Sequence, residues 1–166
     1  GVDTSKIEEI LKNNKSKFEC FLANDNSIGQ IVISGKINDL DNFIDELKKL
    51  NIRNIKLPVS APFHCRLMKP ATEIMSKKIK EINFLVPQNK IVSNVTAVPS
   101  DNPDRIKNLL IDQIEKPVRW RESIINMINL GSKKFIEIGP GKVLSGLVKR
   151  IDRNAELIQV INICLL

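Results

Sequence analysis

The amino-acid sequence predicts an α/β fold built in two parts, on three observations. In residues 60–166 short strand-like runs alternate with amphipathic helical stretches, the pattern of a parallel sheet with crossover helices. Residues 1–59 read in a different order, helix, two strands, helix, strand, which is a split βαβ unit lacking its first strand. A chain of 166 residues with 42% hydrophobic content suffices for one sizeable core, or for a large and a small lobe.

Residues 5–14 set Ile7, Ile10 and Leu11 at helical spacing, with Thr4 or Ser5 as the cap and Glu8 and Glu9 in the first turn. Residues 17–24 read as a strand, 24–29 as a turn that carries Asn26, and 30–34 as the returning strand. A second amphipathic helix spans 38–50, with Leu40, Phe43, Ile44 and Leu47 inward, and 54–59 reads as a short buried strand. Pro62 then biases Ala61 away from helix, so the chain breaks there.

Beyond the break, Leu67, Ala71, Ile74, Met75, Ile79 and Ile82 recur at three to four residue steps and give a helix one apolar face. Pro70 fits its first turn, where a missing N–H costs nothing. A strand over 90–93, a helix over 104–114 ending near Lys116-Pro117, and a helix over 118–130 follow, the last with Trp120, Ile124, Met127 and Ile128 apolar and Gly131 closing it. Residues 133–138 read as a buried strand, Gly139-Pro140-Gly141 as a tight turn, 142–150 as a short helix and 157–161 as a last strand.

Composition narrows the function classes. No apolar run approaches the length that spans a bilayer, and the first residues, GVDTSKIEEI, lack the regions of a signal peptide, so a cytoplasmic location is expected. Cys20, Cys65 and Cys164 are few, odd in number and unclustered, which argues for buried thiols and against a disulfide framework or a zinc site. The net charge of +7 points to acidic partners, yet the lysines are spread over exposed helix faces. Nucleic-acid binding rests on a pI of about 9.4 alone, with no Tyr, one Trp and no basic-aromatic motif. Gly139-Pro140-Gly141-Lys142 before a helix fails both the Walker and the GxGxxG patterns, which leaves a strand-to-helix turn with Lys142 as a candidate contact for a phosphate.

His64 is the only imidazole in the chain and the first candidate for a general base near neutral pH. It falls on a loop between a strand end and a helix start, where side chains commonly face a cleft, and a nearby helix N-terminus would favour the neutral ring. On local context alone, a lone histidine beside Phe63 and Cys65 is more often a packed structural residue than a catalyst.

Five motifs weigh against that. NDNSIGQIVISG at 24–35, LPVSAPFHCRLMKPA at 57–71, IVSNVTA at 91–97, QIEKPVRW at 113–120 and IEIGPGKVLSGLVKRI at 136–151 occur in order across nearly the whole chain. In these the chain resembles the C-terminal half of the bacterial malonyl-CoA:acyl carrier protein transacylase family. The resemblance implies a partial hydrolase-like acyltransferase domain, over residues 60–166, with an incomplete ferredoxin-like subdomain over 1–59. It also implies the activity, transfer of malonyl from malonyl-CoA through a serine ester to the phosphopantetheine thiol of acyl carrier protein, with no metal and no cofactor. A polyketide-type acyltransferase domain is the nearest alternative enzyme.

The resemblance carries roles to particular residues. His64 would be the base, and the backbone carbonyl of Gln113 would hold its other ring nitrogen in place of a triad carboxylate. Phe63 matches malonyl-selective members, in which bulk before the histidine limits room for a branched acyl group; ordinary packing under the loop is the alternative. Asn26 falls in a loop that faces the cleft in the family, although Asx residues at hairpin turns are usually structural.

The family's GxSxG nucleophile elbow does not occur in this sequence. Ser27, Ser34 and Ser145 lack its glycines, and Arg66 does not match the arginine that pairs with the malonyl carboxylate. The expectation is therefore a truncated, split or proteolysed piece of the enzyme, with negligible transfer alone. Its exposed sheet edge and core faces should favour poor stability or association with the missing half or another copy. A noncatalytic piece that binds acyl carrier protein is the alternative reading.

Overall fold

The computed structural model describes residues 2–161, and Cys164 lies outside them. It opens with α1 (Thr4–Asn13), whose cap is Asp3: the carboxylate accepts from the Lys6 N–H at 2.8 Å. Thr4 and Ser5, expected as caps, are already helical because Asp3 reaches the third N–H from one residue further out. β1 (Cys20–Ser27) and β2 (Gln30–Gly35) form an antiparallel hairpin with a two-residue turn, so the wider turn expected at 24–29 is replaced by a strand that runs on to Ser27. The pairing slips between Leu22 and Asn24 and again between Asp25 and Ser27. Bulges of this kind bend a strand and re-aim its side chains.

α2 (Ile37–Lys49) packs with α1 over the hairpin, and Ile7, Ile10, Phe18, Phe43 and Leu47 form a buried cluster there, with Ile31, Ile33 and Ile52 against it. Phe18 and Phe43 meet edge to face at 5.3 Å. Two bonds close α2, Asn51 N–H to the Lys48 carbonyl at 3.0 Å and Ile52 N–H to the Leu47 carbonyl at 2.8 Å. Asn51 takes the left-handed φ of 54° that this ending requires. α5 (Trp120–Asn129) ends in the same way, and Gly131 occupies the corresponding position at φ 99°.

The strand expected at 54–59 is not formed. The segment runs extended and exposed, with Ile55 81% and Val59 62% accessible, and has no ladder partner among the described residues. A strand needs a hydrogen-bonded neighbour, and an apolar run alone does not supply one. A 3₁₀ turn (Arg66–Met68) leads into α3 (Lys69–Glu81), which is tied to α4 (Pro103–Asp112) by Lys107, whose ammonium donates to the carbonyls of Lys80 at 2.7 Å and Ile82 at 2.6 Å. The apolar face expected on α3 is only half covered: Leu67, Ala71 and Ile79 are partly buried, while Ile74, Met75 and Ile82 are exposed.

β3 (Ile91–Val92) pairs antiparallel with β4 (Pro99–Ser100), a two-residue partner that has no apolar pattern to announce it. α4 is capped by the Asn102 side chain, with Pro103 in its first turn. β5 (Lys134–Ile138), α6 (Val143–Ile151) and β6 (Glu156–Val160) then make the expected parallel pair with its crossover helix. Their inner side forms a second cluster, in which Ile124, Val148 and Ala155 are buried and Trp120, Phe135, Ile151 and Leu157 pack against them. The other side of the pair, Ile136, Ile138 and Ile158, faces solvent.

Candidate functional site

Several bonds that join distant parts of the chain involve residues in or beside the sequence motifs. The Ala23 and Asp25 backbone pairs with Val118 at 2.8 and 2.9 Å, so β1 continues onto the start of α5. Arg121 of α5 grips the Asp25 carboxylate at 2.8 and 2.9 Å in a largely buried pair. Arg119 donates its N–H to the Asn94 carbonyl at 2.9 Å and its guanidinium to Val95 and Glu122. Arg150 of α6 bonds Gln30 of β2.

His64 is half-buried and adopts φ 59°, a left-handed conformation that His tolerates better than most side chains. Its flanks are anchored: Ser34 of β2 donates its hydroxyl to the Phe63 carbonyl at 2.6 Å, and the buried Cys65 thiol donates to the Pro62 carbonyl at 3.1 Å. The ring Nδ1 lies 2.9 Å from the Gln113 carbonyl oxygen. A carbonyl only accepts, so Nδ1 carries the proton and Nε2 is left with its lone pair. Among the described residues Nε2 has no hydrogen-bond partner.

Gln113 is the residue that ends α4, and its carbonyl belongs to the exposed, electronegative end of that helix. The helix start expected just after His64 is present, as the 3₁₀ turn at Arg66–Met68 and α3, and the ring itself is met by the C-terminal end of a second helix, α4. Behind Gln113 lies a small cavity of about 100 Å³ between residues 91–94 and α4, and the imidazole is not part of its wall.

Of the residues singled out in the sequence, His64 and Gln113 are brought together. Phe63 shares the loop and is 44% exposed, so it is not packed beneath it. Asn26 sits at the second bulge of β1 without a cross-strand partner, half-buried, and takes no part in the bonds that hold His64. Arg66 pairs with Glu19 and lies over the Phe21 ring at 5.4 Å, and Lys142 is exposed at the start of α6. One residue joins the site without a sequence reading that assigns it to it: Ser34, which stands out in the sequence only as a serine without glycines.

None of the three serines weighed in the sequence is paired with His64. Ser34 is bonded to Phe63, Ser145 donates to Glu137, and the Ser27 hydroxyl is buried. Burial pushes the Cys20 thiol up to about 12, with Asp39 and Cys65 adding to the effect. Cys65 is also raised, again chiefly by burial, so neither thiol offers appreciable thiolate near neutral pH. The arrangement holds an oriented imidazole whose Nε2 could accept a proton, with no nucleophile paired to it among the described residues.

A family model described as acyl transferase domain matches residues 3–163, and the chain belongs to that family. Within it, the chain is similar to the malonyl CoA-acyl carrier protein transacylase of Bacillus subtilis, 45% identical over 163 residues, which are 96% of this chain and 51% of the relative. The solved transacylase of Clostridium perfringens superposes with a TM-score of 0.93 at 38% identity, over 98% of this chain and 52% of that one. A malonyl-transacylase solved in complex with its type II PKS acyl-carrier protein gives 0.91 at 33% identity, over 98% and 53%. The chain spans about half the length of the curated relatives it matches.

Proposed function

We propose that this chain contributes the general base to malonyl transfer from malonyl-CoA to the phosphopantetheine thiol of acyl carrier protein. The observation that carries the reading is the 2.9 Å contact between His64 Nδ1 and the Gln113 carbonyl, which leaves Nε2 as the acceptor. Nε2 takes the proton of a serine hydroxyl as its oxygen attacks the thioester carbonyl. The proton then passes to the departing coenzyme A thiolate. In the second half-reaction Nε2 takes the carrier thiol's proton, the thiolate attacks the malonyl-serine ester, and the serine oxygen recovers the proton as it leaves. The serine, the oxyanion donors and the carboxylate-binding arginine are supplied by sequence outside these 166 residues.

The names of the relatives support the substrates, and the relative solved with its acyl-carrier protein supports that partner. We read residues 1–59 as a ferredoxin-like subdomain short of its first strand and 60–166 as part of a hydrolase-like one, a division supported by the two separate core clusters. The reading implies a cytoplasmic enzyme of fatty acid synthesis that uses no metal and no cofactor; among the described residues no helix is long and apolar enough to cross a membrane. The test is malonyl transfer followed by intact mass, for the chain alone and mixed with the upstream half of the Bacillus subtilis relative. Transfer only in the mixture, abolished by His64→Ala, is expected. Transfer that survives His64→Ala in the mixture overturns the reading.

A further inference from the structure

The carbonyl that contacts His64 stands four residues before a proline. In a helix each carbonyl accepts from the N–H four residues on. Past the end of α4 the bonding is mixed: Gln113 N–H reaches the Leu109 carbonyl at 3.0 Å, Ile114 and Glu115 reach only three residues back, to Ile111 at 3.2 Å and Asp112 at 3.1 Å, and Lys116 N–H again reaches four back, to Asp112 at 3.0 Å. A further bond of the Lys116–Asp112 kind would run from residue 117 to the Gln113 carbonyl. Residue 117 is a proline, which has no N–H to give. Lys116, the alternative donor three residues on, is already bonded to Asp112. The Gln113 oxygen is therefore left without a backbone donor among the described residues, and the imidazole is its partner.

We propose that Pro117 is a positioning residue, which keeps the Gln113 carbonyl free and so sets the tautomer and orientation of His64. It touches neither substrate nor reacting atom. A residue with an N–H at 117 would supply that further bond, compete for the same oxygen, and release the ring to the Nε2-protonated tautomer that imidazoles in water prefer. The consequence for catalysis rests on the reading of His64 as the base; the effect on the ring does not.

The chain has one histidine, so a long-range ¹H–¹⁵N correlation spectrum of the ¹⁵N-labelled 166-residue chain reports this ring alone. The neutral ring of the unsubstituted chain is expected to be protonated mainly at Nδ1. Pro117→Ala is expected to fold, to lower the ratio of Nδ1–H to Nε2–H severalfold, and to show protection from exchange at the backbone amide that the substitution introduces. Pro103→Ala, the same change at the start of α4, is expected to leave the ratio unaltered. An unchanged ratio in Pro117→Ala overturns the proposal. So does failure of that variant to fold, which would make Pro117 a folding residue, and so does an equal shift in Pro103→Ala. A shifted ratio with undiminished malonyl transfer in the complemented mixture leaves Pro117 as the positioning residue and removes His64 as the base.

Discussion

His64 is held from two sides: the Ser34 hydroxyl donates to the peptide carbonyl before it and the Gln113 carbonyl fixes its ring. Because the contact to Gln113 is made by a main-chain oxygen, the Gln113 side chain is dispensable to it. Gln113→Ala is therefore expected to cost far less transfer activity than His64→Ala, for which loss of a general base is worth about 100-fold or more, and equal losses in the complemented assay would remove Gln113 from the site. Phe63, 44% exposed beside the base, is free to face an acyl group. Phe63→Ser is expected to raise the use of methylmalonyl-CoA relative to malonyl-CoA, read as the ratio of the two transfer rates; an unchanged ratio would take Phe63 out of the specificity account.

Glu137, on β5, does for α6 what a capping residue does within a helix. Its carboxylate accepts from the Leu144 N–H at 3.1 Å and from the Ser145 N–H at 2.8 Å, and the Ser145 hydroxyl also donates to it. These donors, the Ser145 hydroxyl foremost, hold the carboxyl below its ordinary range. A group with a lowered folded-state pKa stabilises fully above its unfolded value and loses that contribution as pH falls through the folded one. Glu137→Gln is thus expected to destabilise the chain at neutral pH and to narrow that difference in urea unfolding as the solution is acidified below the usual carboxylate range. Helices and the hairpin are legible in the sequence because apolar spacing and caps are local. The strand expected at 54–59 does not form because pairing is not local, and β4 goes unannounced because two residues carry no period. At the site, the imidazole stands out by its uniqueness, whereas Ser34 acts through a carbonyl partner that only the fold supplies.

Across the whole molecule, buried surface is concentrated in the two clusters while large apolar side chains remain outside them. Ile55, Leu57 and Val59 lie on an unpaired extended segment, and Ile136, Ile138 and Ile158 form the bare side of the parallel pair. Parallel strands are ordinarily covered on both faces, and an unpaired apolar segment invites another strand. The chain alone is expected to associate with rising concentration in sedimentation velocity experiments, and a monodisperse monomer at all concentrations would contradict this. The separation of hairpin and α4 bears on His64. His64 is hung from the hairpin through Ser34 and Phe63 and from the end of α4 through its ring, so its two anchors move with different elements. A hydrogen bond of 2.6 or 2.9 Å does not survive about an ångström of sliding between its ends. The imidazole is consequently an alignment gauge: both of its anchoring bonds stand only while hairpin and helix are in register.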